Sequence, residues 1–257
     1  IFIHKLIIFY IMPNWCQNYL TVSITDKATM ENLNDFIRFN NSEQSRLDFN
    51  KLIPMPEEIR NTNSPNNSET KQELVDKYGV DNWYEWSIKN WGTKWNTDSE
   101  MIVQNNVTSI KYIFDTAWSP PIPWIMKLIE KYPNLNINLE YEEPMMDFGG
   151  IIEFDNGELN ILEYELSEYT WENCDKKKIY EVINGYLSSS NIDLSSDLDS
   201  YVEDIIEEIQ DEIKNAYYIS AYIKDMMIYI LNNQDEEENI SKLNYDSNGN
   251  KIKNLNL

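Results

Sequence analysis

Tyr19-Leu20-Thr21-Val22-Ser23-Ile24 sets Leu20, Val22 and Ile24 against Tyr19, Thr21 and Ser23 in strict alternation. A period of two built on β-branched residues predicts a half-buried strand. Downstream, Asp26 is placed as a helix N-cap, and Thr29, Met30, Leu33, Phe36 and Ile37 form a helical stripe to about Asn40. Leu47 to Pro54 is expected to be extended, closing on Pro54 and Pro56. A polar loop, Asn61 to Glu69, precedes two short helices over Lys71 to Tyr78 and Asn82 to Trp91, and Gly92 suits the stop of the second. Glu100 to Asn105 and Ser109 to Thr116 read as a hairpin about Asn105-Asn106. Pro121 or Pro123 opens a helix that turns Trp124, Ile125, Leu128 and Ile129 inward, and Leu135 to Tyr141 alternates as a further strand.

In chain order this is strand, helix, insertion, strand, strand, helix, strand. The expected class is α+β: a ferredoxin-like βαββαβ sandwich whose antiparallel sheet is covered on one face by two helices. Asp147-Phe148-Gly149-Gly150 is read as a turn, since no glycine-rich phosphate loop or catalytic-loop motif precedes it as a kinase would require. Ile151 to Phe154 and Leu159 to Tyr164, joined at Asn156-Gly157, form an added β-hairpin with a type I′ turn. From about Glu172 the composition shifts to helix formers and acids, a C-terminal acidic helical appendage. Lys176 to Leu187 is one helix. Asp197 to Leu231 is one long pattern, with Leu198, Val202, Ile205, Ile209, Ile213, Ala216, Ile223, Met227 and Ile230 near period 3.6.

The expected layout is residues 1–11 as a non-native or upstream extension, 12–165 as the ferredoxin-like domain with a loop and helical insertion at 56–98, 172–233 as the acidic helical region and 234–257 as a flexible tail, in which Asn248-Gly249 could close a small hairpin. Residues 1–11 are apolar but too short to span a bilayer, and they lack a basic leader and a cleavage site. A short edge strand is the alternative for them.

With 257 residues and 42% hydrophobic composition the chain can bury a sizeable core. Abundant Ile, Asn, Lys and Tyr against three arginines point to an AT-rich genome. The net charge of −23 argues against direct binding of nucleic acid, whose affinity comes mostly from phosphate neutralisation. A small phosphorylated ligand remains open, because charges beyond a Debye length of about 8 Å are largely screened. Cys16 and Cys174 make neither a disulfide framework nor a metal cluster, so a reducing cytoplasm is expected, and Cys16 beside Trp15 reads as a small buried hydrophobe. The single histidine, His4, lies in the extension, which leaves no imidazole relay. No cofactor, no metal site and no membrane span are expected, and an enzyme working through carboxylates or Cys16 is the least favoured class.

Four segments carry a family resemblance: Met12-Pro13-Asn14-Trp15-Cys16-Gln17-Asn18-Tyr19-Leu20-Thr21-Val22, Phe49-Asn50-Lys51-Leu52-Ile53-Pro54-Met55-Pro56, Asn90-Trp91-Gly92-Thr93-Lys94-Trp95-Asn96 and Thr116-Ala117-Trp118-Ser119-Pro120-Pro121. In that order, over roughly Met12 to Tyr164, the chain resembles the YubB-like ferredoxin-like proteins of phages and plasmids. The resemblance implies a ferredoxin-like core and a mobile-element origin, with no established activity. Asn96 departs from its pattern, which would place an acid there.

The last two segments hold three of the eight tryptophans. They build either an aromatic corner of the core, with a partner for each indole N–H, or a flat-faced pocket. In the pocket, Trp91, Trp95 and Trp118 would stack on a base while Thr93, Lys94 and Ser119 supply polar contacts. A purely packing role stays a strong reading for Trp15, Trp118 and Trp124. The expected function is a phage-derived, non-catalytic binding protein that sequesters a small nucleotide-derived ligand, a host immune signal, in counter-defence. The alternative is an acidic inhibitor that imitates nucleic acid and grips a basic host protein through Glu203, Glu207 and Asp211. Homo-oligomerisation is left open.

Overall fold

The computed structural model describes residues 14–24, 30–40, 47–97, 100–105, 108–189, 192, 197–211, 213 and 215–232. The expectations for residues 1–11, Asp26, Asn106 and the tail 234–257 lie outside them. The chain divides into two compact units, Ile1–Glu163 and Tyr164–Leu257.

In the first unit β1 (Trp15–Ser23) is the central strand. Its alternation buries Cys16, Asn18, Leu20 and Val22 and turns Trp15, Gln17, Tyr19 and Thr21 the other way. It pairs antiparallel with β3 (Ser109–Ala117) on one side and β4 (Asn136–Glu143) on the other. With β2 (Glu100–Asn105), β5 (Phe148–Asp155) and β6 (Glu158–Glu165) the sheet runs β2-β3-β1-β4-β5-β6. Its first four positions are the βαββαβ order expected from the sequence, and the last two are the added hairpin. Asn156 and Gly157 both have positive φ, 51° and 84°, as a type I′ turn requires.

The covering helices are α1 (Met30–Asn40) and α6 (Ile122–Lys131). Leu33 and Phe36 from the first and Trp124, Ile125 and Leu128 from the second are buried against Leu20, Val22, Tyr112, Phe114 and Leu139. Phe36 meets Tyr112 edge-on at 6.2 Å between centroids, the geometry that ring quadrupoles favour.

Between β1 and β2 lie α2 (Phe49–Leu52), α3 (Glu57–Arg60), α4 (Lys71–Tyr78) and α5 (Trp83–Asn90). The extended run expected over Leu47 to Pro54 is corrected here. Asp48 accepts the Asn50 backbone N–H and caps a helical turn, which seats Phe49 in the core against Trp91, Phe114 and Trp124. Asn96 holds that turn: its Oδ1 accepts the Phe49 N–H at 2.8 Å while its Nδ2 donates to Asp48 at 2.7 Å. An amide can do both; a carboxylate beside Asp48 could not donate.

The turn expected over Asp147 to Gly150 is corrected in extent, for only Asp147 belongs to it. The reversal is made by a 3₁₀ turn over Pro144–Met146 and by Asp147 in the left-handed region, and Phe148 already begins β5. Gly150 lies opposite Tyr141, whose hydroxyl occupies the space a Cβ would need.

The second unit holds α7 (Leu166–Asn173), α8 (Lys176–Ser189), α9 (Leu198–Ile209) and α10 (Ser220–Asn232). Ile179, Ile183, Ile205, Ile209, Ile223 and Met227 form its core, with Trp171 stacked on Tyr222 at 4.9 Å. The single helix expected over Asp197 to Leu231 is two. Asn215 takes φ 64°, and a 3₁₀ turn over Ala216–Ile219 redirects the chain, so the same apolar period serves two helices. No helix of the described residues is long and apolar enough to cross a membrane.

Candidate functional site

The alternation of β1 sends Trp15 outward at the start of the strand, where it remains 46% exposed. Its ladder partner is Ala117, so Trp118 follows directly across the strand pair, and the Trp118 N–H donates to the Asn14 carbonyl at 2.9 Å. Trp118 has φ 74° and stays 36% exposed. The left-handed conformation costs a bulky L-residue roughly 1–2 kcal/mol and persists only where the surroundings impose it. Here Thr116 Oγ1 donates to the Ser119 carbonyl at 2.8 Å, and Ser119 Oγ donates to the Gly92 carbonyl at 2.6 Å.

The second wall is the loop after α5. Gly92, at φ 89°, ends the helix, and a Cβ there would collide with the Pro123 ring. Only glycine lets the two loops close on each other. Thr93 is fully buried and spends its hydroxyl on the Ala117 carbonyl at 3.0 Å. Trp95 then emerges, 39% exposed, with its ring centroid 6.1 Å from that of Trp15. Lys94 lays its ammonium over the Trp95 ring at 4.4 Å and 6.0 Å from the ring of Tyr84 on α5. It forms no ion pair among the described residues.

Of the six residues expected to bind a ligand, Lys94, Trp95 and Trp118 are at the surface. Trp91 is not. It is 3% exposed, its indole N–H donates to the Ile53 carbonyl at 2.9 Å, and it packs perpendicular to Trp86 at 5.4 Å. Thr93 and Ser119 have their hydroxyls committed to carbonyls, so they fasten the loops together. Trp15 and Trp118, for which a packing role is the competing reading, keep part of each ring at the surface, whereas Trp124 is fully buried and donates to the Phe49 carbonyl at 3.3 Å. Trp15 and Tyr84 are the site residues that sequence reasoning missed. For Trp15 the signal was present: carrying the Tyr19–Ile24 alternation back four residues puts it on the outer face.

Behind the indoles, on the helix-covered face, lie Cys16, Asn18, Thr116 and Glu143, all buried. Asn18 Nδ2 donates to Thr116 Oγ1 at 2.8 Å and so joins β1 to the Trp118 turn. Asn18 Oδ1 and Glu143 Oε1 have no hydrogen-bond partner. Burial, opposed in part by a hydrogen bond with Thr116, pushes the Cys16 thiol from an ordinary 9.0 up to about 12. It stays a protonated, inaccessible hydrophobe at neutral pH, which removes it as a nucleophile. No three His, Cys, Asp or Glu side chains converge as a metal site among the described residues.

Residues 90–183, which include both tryptophan loops, are similar to a family described as a ferredoxin-like domain in Api92-like protein. The crystal structure of protein api92 from Yersinia pseudotuberculosis aligns with a TM-score of 0.38 at 10% identity, over 60% of this chain and 98% of that one. No curated protein matches the chain. The ferredoxin-like domain implied by the sequence resemblance agrees with the matched description, which names Api92-like and not YubB-like proteins.

Proposed function

We propose that this chain is a binding protein that captures a small planar ligand carrying an anionic group, such as a nucleotide, on the faces of Trp15, Trp95 and Trp118. The observation that carries the reading is the pairing of two partly exposed indoles, Trp15 and Trp95, 6.1 Å apart between centroids, with exposed Trp118 following the ladder partner of Trp15 and with Lys94 over the Trp95 ring, unpaired with any carboxylate among the described residues. Tryptophan is highly buried on average, and Trp118 stays 36% exposed on a strained backbone. Base–indole stacking is worth roughly 1–3 kcal/mol per base. Lys94 supplies the attraction for an anion that the overall charge of −23 does not.

Isothermal calorimetry against a panel of mononucleotides and cyclic nucleotides tests this. Binding that weakens in Lys94→Ala, and weakens more at low salt than at high salt, is the expected result, since the lost contribution is electrostatic. No heat with any member of the panel refutes the reading.

A second surface supports a second reading. Glu203, Glu207 and Asp211 are exposed at successive four-residue steps along and just beyond α9, and the sequence has no Lys or Arg between Lys178 and Lys214. Such a face would suit a basic protein partner. If so, Glu203→Lys, Glu207→Lys and Asp211→Lys together should abolish the complex and leave the helical circular dichroism unchanged. A complex that survives the triple change moves the interface elsewhere.

A further inference from the structure

We infer that Lys94 is the specificity-determining residue of the tryptophan platform, selecting anionic over neutral planar ligands by occupying the Trp95 face until an anion draws it away. The inference rests on the binding function proposed above and names the ligand class that site takes. Three observations carry it. The Lys94 ammonium is not merely near the rings; it lies over the Trp95 face at 4.4 Å, where a stacked base would sit. A second ring, Tyr84, contacts it at 6.0 Å. In a chain with 44 acidic residues, Lys94 is paired with none of them among the described residues.

A planar ligand that stacks on this face of Trp95 must displace the ammonium. A cation over an exposed ring is held by about 0.5–1 kcal/mol, so displacement weakens every ligand by about two- to fivefold. A neutral ring has nothing to offer the displaced charge. A ligand with a phosphate or carboxylate beside its ring gives the ammonium a new partner and recovers the loss. The four-carbon stem allows the ammonium to swing without moving the loop, which Thr93 and Gly92 pin in place.

The experiment is a two-by-two calorimetric comparison of adenosine and adenosine 5′-monophosphate on the full-length protein and its Lys94→Met variant, with Lys94→Ala as a second neutral variant and Lys94→Arg as the charge-retaining control. Thermal midpoints verify that each variant is folded. The expected result is that adenosine binds two- to fivefold more tightly to Lys94→Met and Lys94→Ala than to the unmodified protein, while the monophosphate binds more weakly to both, and that Lys94→Arg keeps the preference for the monophosphate. If both ligands bind but adenosine is unaffected or weakened by the neutral variants, Lys94 does not guard the ring and the inference is overturned while the binding function stands. If neither ligand binds any form of the protein, the inference is overturned, and the binding function falls with it when the mononucleotide and cyclic-nucleotide panel also gives no heat.

Discussion

Trp91 and Trp95 stand four residues apart in one short segment, yet one is a strut and the other a surface. The difference lies in partners distant in sequence: Trp91 reaches the Ile53 carbonyl and the faces of Phe49 and Trp86, while Trp95 meets only Trp15 and the Lys94 chain among the contacts described. No local pattern separates them, so the sequence could place tryptophans at the site but not sort them. Substitution does. Trp91→Ala should destabilise the fold by about 3–5 kcal/mol in urea unfolding. Trp95→Ala should leave the unfolding midpoint nearly unchanged and weaken the nucleotide by roughly tenfold to a hundredfold in calorimetry. Reversed effects would exchange their roles. Cys16 gives a pH test. Its folded-state pKa is raised by burial from 9.0 to about 12, so above pH 9 the unfolded chain holds fewer protons than the native one and stability falls as pH rises from about 9 to about 12. Cys16→Ala should flatten that part of the stability profile, whatever it does to the absolute value through lost packing. A slope unchanged by the substitution would show that other groups cause it.

Among the elements, those with a clean period were legible. β1 and β4 alternate, α6 carries its inward stripe, and Asn156-Gly157 announces its turn. What escaped were elements decided by one side chain or by space. A cap at Asp48 converts an apparent strand into a turn of helix, and a single left-handed Asn215 breaks a continuous apolar period. Gly149-Gly150 resembles a turn in sequence because the reason for Gly150, the Tyr141 ring on the neighbouring strand, is nine residues away. Gly150→Ala should therefore cost about 1–3 kcal/mol through overpacking, measurable in urea unfolding. Gly157→Ala meets no neighbour, but at φ 84° a side chain strains the backbone, so its cost, about 1–2 kcal/mol, comes from conformation and not from packing. A cost near zero for Gly150→Ala would mean that Tyr141 yields freely.

For the whole molecule the dominant fact is charge. At −23, acids repel one another throughout the native state, and ion pairs such as Lys71–Asp81, Lys77–Glu58, Lys127–Glu130, Lys177–Glu181 and Lys224–Asp199 each involve at least one well-exposed partner. Pairs of that kind contribute about 0–1 kcal/mol each, too little to counter the general repulsion. Salt should then stabilise: the thermal midpoint should rise as sodium chloride goes from 10 to 200 mM, over which the Debye length shrinks. A fall would show that local pairs outweigh the net field. Composition made this property legible before any fold was drawn, but it could not tell that Lys94 stands outside the ion pairs among the described residues.

The division of the indoles also makes the molecule an optical instrument. Trp15, Trp95 and Trp118 face water, Trp83 is half-buried, and Trp86, Trp91, Trp124 and Trp171 are buried. Their emission separates into a solvent-relaxed population and a shielded one. Acrylamide should extinguish the first well before the second. Iodide, repelled by the chain as a whole, should be drawn locally by the Lys94 ammonium to Trp95. A ligand seated on the platform would protect that same population from both quenchers, so occupancy could be followed without any label.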